Sequence, residues 1–390
     1  MNQGQTVLAQ LTKFISKYQF SLCVQRYKGD YKMRSFSCWE QFLALSFAQL
    51  TYRESLRDIE ACLFAFRNRL HHCGIQTKIS RSTLSDANER RNWRIYADFA
   101  TILISEARIL YDKENPFRLE LDSLIYAFDS STIDLCLSLF PWAKFKSTKG
   151  GVKMHTLLDL NGSIPAWINI TVAARHDMNM MDIIPMEIGA YYIMDKGYYD
   201  FERLYRMHTF GAYFVTRAKK NTLFKRLKGR KVDKTLGLIC DQTVVLGFGK
   251  TFDKYPTHIR RIVYRDQATG KRFVFITNNF NLEPITIASL YKERWKIELF
   301  FKWIKQHLRI KAFYGTSQNA VFTQIWIAIA IYVLIAIIKK KLKTEKTLYA
   351  ILQVLSISLF EKITLNQLLN EIDEKEFIDP NCKQLTIFDL

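Results

Sequence analysis

The sequence predicts an α/β protein in which a mixed sheet, interrupted by a β-rich insertion, follows an α-helical N-terminal region. Three observations predict it. Residues 36–111 carry apolar side chains at helical spacing without a proline; short apolar runs bounded by turn residues begin at Leu124; and the segment from Arg217 to Leu282 keeps strand patterning but turns basic. The 390 residues suffice for two or three domains, and 48% apolar content supports a full core rather than disorder.

In chain order, Val7, Leu8, Leu11, Phe14 and Ile15 form one short amphipathic segment, after which a polar stretch to about residue 35 says little. Trp39, Phe42, Leu43 and Phe47 build one helix, and Ser55–Leu70 a second with Leu56, Ile59, Leu63 and Phe66 at helical spacing. After a turn at Gly74, Ser80 or Ser82 can cap a further helix, and Arg81, Ser82, Arg90 and Arg91 are side chains of the kind that reach phosphates and base edges. An ordinary polar helix in a bundle accounts for the same stretch.

Residues 112–123 lead into strands. Leu124–Phe128 is an apolar run ending at Asp129; Val152–Leu160 and Ala166–Val172 read as two strands joined by a hairpin turn at Asn161-Gly162. Asp177–Ile188 reads as helical, Tyr191–Met194 as a short strand ending at Asp195, Phe201–His208 as a helix and Ala212–Thr216 as a strand. Three strands, a helical crossover, a strand, a helix and a strand is the ribonuclease H-like order, a mixed sheet covered on both faces, in which residues just beyond strand ends gather into sites. The basic insertion carries Lys219, Lys220, Arg226 and Arg230 as candidate DNA contacts, then strand-like Thr243–Phe248 and a hairpin of Ile259–Arg265 and Arg272–Thr277. The division expected is a helical DNA-binding or accessory part over 1–111, a catalytic core over 112–216 and 283–340, the insertion over 217–282, and a helical segment and tail over 341–390.

Pro284–Leu308 is free of glycine and of internal proline and is expected to form one helix. At about 100° per residue, Leu290, Ile297, Phe300, Phe301, Ile304 and Leu308 share a flank for burial, and Tyr291, Arg294, Glu298 and Lys305 line a stripe roughly 60° wide beside it. Ordinary i,i+4 ion pairs explain part of that stripe. Asp129 and Asp195, each at the end of an apolar run, complete with Glu298 a set of three carboxylates. Such a set suits phosphodiester chemistry, because two divalent ions about 3.5–4 Å apart can activate the attacking oxygen and stabilise the leaving one, and hard oxygen ligands suit magnesium. Either aspartate alone is equally a turn residue.

The spacing Y-(2)-R-(3)-E-(6)-K, filled by Tyr291, Arg294, Glu298 and Lys305, together with Asp129-Ser130 and Asp195-Lys196-Gly197-Tyr198 upstream, resembles the signature of the insertion-sequence-four (IS-four) family of DDE transposases over roughly residues 36–340. Lys196 stands where that family commonly has arginine. The resemblance implies that Asp129, Asp195 and Glu298 bind two Mg²⁺ or Mn²⁺ ions, that Tyr291, Arg294 and Lys305 hold phosphates of the element's end, and that Trp295 stacks on a flipped base. It implies cut-and-paste transposition through a DNA hairpin, with terminal repeats and target DNA as partners and a homodimer holding two ends. His155 and His176 can approach the metals or serve as hydrogen-bonded structural histidines. A ribonuclease H-like structure-specific nuclease explains the carboxylates but not the Tyr–Arg–Lys set; an inactive DNA-binding relative is the third reading.

The formal charge of +20 fits a polyanionic partner. Seven scattered cysteines without CxxC spacing point away from disulfides and zinc, toward a reducing cytoplasm, and with the family resemblance the location expected is bacterial and nucleoid-associated. Ala320–Ile338 has the length and apolarity of a membrane span, followed by Lys339–Lys343, but a helix buried in a large domain explains the same run and is the expectation taken; no membrane is expected as a partner. Gln384-Leu385-Thr386-Ile387-Phe388 resembles the short peptide by which bacterial proteins dock on the replication sliding clamp.

Overall fold

The computed structural model describes residues 4–112, 123–247, 250–308, 310 and 312–370; the Gln384–Phe388 peptide lies outside them. The N-terminal region is helical: α1 (Val7–Leu11), α2 (Lys17–Arg26), α3 (Cys38–Leu50), α4 (Leu56–Ala65), α5 (Arg67–Leu70), α6 (Arg81–Arg90) and α7 (Arg94–Tyr111). Side-chain caps start five of these: Thr6, Ser16, Ser37, Ser55 and Ser80 each accept from a backbone N–H three residues on. Helix α2 lies in the stretch that is uninformative as sequence, because only Phe20, Cys23 and Val24 are buried and its polar residues dilute the period. The expected Ser55–Leu70 helix is broken at Phe66 into α4 and α5.

The strands are β1 (Ile125–Leu135), β2 (Lys144–Lys146), β3 (Lys149–Asp159), β4 (Ile164–Val172), β5 (Tyr191–Met194), β6 (Tyr213–Arg217), β7 (Phe224–Arg230), β8 (Leu238–Leu246), β9 (Ile259–Arg265) and β10 (Arg272–Thr277). They form one sheet in the order β2-β3-β1-β5-β6-β10-β9-β8-β7, with β4 also on β3. β1, β5 and β6 run parallel and the other pairings are antiparallel. The basic segment therefore adds its strands to the central sheet through β6–β10.

Alternation sends each strand's side chains to two cores. Ile125, Ala127, Tyr191, Ile193, Val215 and Phe275 join the larger one, with α7 and the helices that follow the sheet. Tyr126, Phe128, Tyr192, Met194, Phe214 and Ile276 join the smaller, under α8 (Phe201–Phe210) and α9 (Lys250–Lys254). The expected Asp177–Ile188 helix is only a short 3₁₀ segment, Asp177–Asp182.

Pro284–Leu308 forms two helices rather than one, α10 (Pro284–Glu293) and α11 (Trp295–His307). At Arg294 the backbone tightens: its N–H reaches back to Tyr291 and its carbonyl accepts from Ile297, both three residues apart, so the helix bends without glycine or proline. Helix α12 (Gln318–Leu342) follows, then α13 (Leu348–Ser358) and α14 (Leu365–Asn370). The apolar window of α12 is wholly buried against α3, α6, α7, α11 and α13, so it is a core helix here. Its polar Gln324 is satisfied by the chain leaving α11, accepting from the Tyr314 N–H at 2.9 Å and donating to the Ala312 carbonyl at 2.9 Å.

Candidate active site

Strand register builds the site. Parallel pairing sets Phe128 of β1 opposite Met194 of β5, so the next residues, Asp129 and Asp195, stand side by side. Phe128 and Met194 enter the smaller core, and alternation therefore turns both aspartates toward α10 and α11. Asp195 follows the end of its strand, as the sequence suggests. Asp129 does not: β1 runs on to Leu135, because Ser130–Leu135 continue the ladder with β3, through polar Ser130–Thr132 and then the buried Ile133 and Leu135.

The bent helix pair supplies the other wall. Arg294, at the bend, donates to Asp129 Oδ2 at 3.4 Å and to Glu298 Oε1 at 2.5 Å, and so bridges two of the three carboxylates. Tyr291 donates its hydroxyl to Asp195 Oδ1 at 3.4 Å, and Lys305 donates to the Thr132 carbonyl on β1 at 2.6 Å. Leu290, Ile297, Phe300, Phe301, Ile304 and Leu308 are buried and fix this wall to the core. Trp295, just outside the stripe, is 57% exposed.

Negative charge accumulates here. Burial raises the Asp129 carboxyl to about 6, opposed by the Ser130 N–H and Arg294 and reinforced by the neighbouring charges of Asp195 and Glu298. Asp129 and Glu298 on the Arg294 guanidinium, with Asp195 beside Asp129, supply hard oxygen donors of the kind that hold divalent cations. Among the described residues no group of three His, Cys, Asp or Glu is gathered tightly enough to hold a metal ion as it stands. The donor chemistry fits a divalent ion, and Arg294 takes the bridging position between Asp129 and Glu298.

The sequence gives no warning of Asp177, which becomes legible only through β1–β3 pairing. It accepts from Ser130 Oγ at 2.8 Å and pairs with Lys153 at 3.1 Å, one residue from Asp129. His155 is fully buried, bonded to Thr171 at 2.9 Å and 3.7 Å from Asp177, and burial pushes it down to about 4. His176 accepts from the Met178 N–H at the start of the 3₁₀ segment. Both histidines thus take structural partners.

The basic candidates divide. Arg81, Ser82, Arg90, Lys219, Lys220 and Arg226 are exposed. Arg91 is turned inward, donating to the Phe36 carbonyl, to the Ser37 carbonyl at 2.9 Å and to Gln41 at 3.0 Å. Arg230 is held by Asp241 at 3.2 Å and Thr243 at 3.0 Å.

Comparison with known proteins agrees with this geometry. The model of the transposase DDE domain matches residues 120–334, and a domain of unknown function (DUF4372) matches residues 3–76. A putative transposase of Sinorhizobium fredii is 35% identical over 258 residues, 65% of this chain and 70% of the relative. A probable transposase for insertion sequence element IS5377 of Geobacillus stearothermophilus is 32% identical over 53% of this chain and 54% of its own length. A putative transposase for insertion sequence element IS4SA of a Synechocystis strain is 24% identical over 75% and 81%.

Proposed function

The chain belongs to the transposase DDE domain family, and from that premise we propose that it is an insertion-sequence transposase of the IS-four type, moving its element by cut and paste. The observation that carries the reading is the adjacency of Asp129 and Asp195, each following the Phe128–Met194 pair of two parallel strands, faced by Glu298 through Arg294. Asp129, Asp195 and Glu298 would hold two Mg²⁺ or Mn²⁺ ions, which supply Lewis-acid activation of the attacking and leaving oxygens.

The remaining groups position DNA. A guanidinium forks a phosphate, a lysine neutralises one and a phenol donates one hydrogen bond, so Arg294, Lys305 and Tyr291 are suited to the backbone of the element's end. To do so Arg294 exchanges its carboxylate partners for phosphate oxygens. Exposed Trp295 offers a face for a base turned out of the duplex, a contact worth about 1–3 kcal/mol. Water cuts at the element end, the new 3′-OH attacks the opposite strand to close a hairpin, water reopens it, and the 3′-OH then attacks target DNA. Each step breaks one phosphodiester bond, and the transesterifications form one in its place. Two ends handled together imply a dimer, and Gln384–Phe388 offers a contact for the sliding clamp in the cytoplasm.

The test is cleavage and strand transfer on a duplex bearing the flanking terminal repeats, with magnesium, comparing the intact protein with Glu298→Ala. Hairpin ends and joined products that fall by on the order of a thousand-fold or more in the variant are expected. Undiminished cleavage by the variant removes Glu298 from the site. Cleavage without joining by the intact protein leaves a nuclease, and binding without cleavage leaves an inactive relative.

A further inference from the structure

The segment between α2 and α3, which shows no pattern as sequence, forms one wall of a groove whose other wall is α6. Several contacts fix its shape. Gly29 donates to the Val24 carbonyl at 2.9 Å and packs so closely that a Cβ there would stand 2.5 Å from Ile95 and 2.7 Å from Cys38. Asp30 accepts from the Cys38 N–H at 2.7 Å, and Arg91 grips the carbonyls of Phe36 and Ser37. Lys28 and Lys32 take left-handed backbone conformations, with φ of 52° and 54°, which close the turn.

A wall held this firmly presents unmatched charge. The side chains of Lys28, Arg34 and Arg90 line the groove without an ion pair or hydrogen bond among the described residues, against one acid, Asp86. Thr83 and Ser35 add hydroxyls, and Tyr31 stands 71% exposed at the rim. Cations with interspersed hydroxyls make the contact set of a phosphate backbone. The groove is also tied to the catalytic part. Asn319 of α12 donates to the carbonyls of Asn88 and Arg91 at 2.7 and 2.6 Å and accepts from the Trp93 N–H at 3.2 Å, directly after α6. One wall of the groove is thus packed on α12, which also packs on α11.

We propose that this groove binds the sugar–phosphate backbone of duplex DNA at the element's end, with Lys28, Arg34 and Arg90 on phosphates; the proposal rests on the transposase reading. It gives part of the domain of unknown function a task. It also separates two adjacent arginines, Arg90 facing DNA and Arg91 building the wall.

The test is fluorescence anisotropy of a labelled terminal-repeat duplex across a salt series, with the full chain and with the triple variant Lys28→Gln, Arg34→Gln, Arg90→Gln, alongside thermal melting and the cleavage assay. A ten- to hundred-fold weaker affinity is expected, and a log-affinity against log-salt slope reduced by about two to three, since each duplex phosphate contact contributes about 0.9. If the triple variant melts early, Lys28→Gln and Arg34→Gln made singly should each lower the slope by about 0.9. Unchanged affinity and slope, while the intact protein binds and cleaves the duplex, overturn the groove and leave the transposase reading standing. An intact protein that neither binds nor cleaves the duplex overturns both. A variant that keeps duplex affinity but loses binding to single-stranded RNA, or to anionic vesicles, overturns DNA as the occupant.

Discussion

Asp129 and Asp241 are carboxylates in opposite halves of one sheet, and their surroundings treat charge in contrary ways. Asp241, on β8, is 2% exposed and fully matched: Arg260, itself 3% exposed, forks it at 3.0 and 2.8 Å, and Arg230 adds a third contact. Asp129, on β1, has the Ser130 N–H and one guanidinium at 3.4 Å, and it feels Asp195 and Glu298 beside it. The outer half neutralises its buried charge within the fold. The inner half leaves a negative surplus unmatched within the fold, the contrast expected if the proposed metal site lies there.

The largest test of this contrast is Asp129→Asn. Strand cleavage should fall by on the order of a thousand-fold or more, while the metal-free protein should melt at a higher temperature above about pH 6. The sign follows from linkage: the carboxyl ionises from about 3.8 when unfolded and only near about 6 when folded, so the native state loses stability as pH rises between the two, and the loss persists above. Below about pH 4 parent and variant should melt alike, which thermal melts across that range check directly.

Asp241→Ala should act in the opposite direction. It strands the buried Arg260, which also holds the Leu282 carbonyl at 2.5 Å on the approach to α10. The cost should be about 3–5 kcal/mol, read by chemical denaturation. Stability changes of one sign for both aspartates would break the comparison. The smallest effect is expected at the exposed edge: Arg226→Gln with Lys228→Gln on β7 should leave melting unchanged and, if this edge meets DNA, lower the salt slope by about two.

The two halves also differ in how far sequence reveals them. Tyr191–Met194 is buried at every position, so its apolar run marks the strand and places Asp195 at its end. β7, FKRLKGR, exposes Lys225–Gly229 and reads only as a basic run, because pairing with β8 rather than burial makes it a strand. Asp129 reads as the end of a strand because polar Ser130–Thr132 interrupt the apolar run, although the ladder with β3 carries on through them to the buried Ile133 and Leu135. The Tyr291–Arg294–Glu298–Lys305 spacing was legible because those residues share a helical face. The bend at Arg294 was not, because it arises from two backbone hydrogen bonds rather than a residue type. Charge could be counted from the sequence, but its partners could not, as Arg90 and Arg91 show.

Helix α12 bears on how the molecule is made. By length and apolarity it could be mistaken for a membrane anchor as it leaves the ribosome. The helices that bury most of it, α3, α6, α7 and α11, all precede it in the chain, and only α13 comes after. Synthesis from the N-terminus thus delivers the receiving surface before the greasy segment that needs it, so the interval in which insertion or aggregation machinery could capture α12 is short. Moving α12 ahead of its partners by circular permutation would lengthen that interval while leaving the final contacts the same.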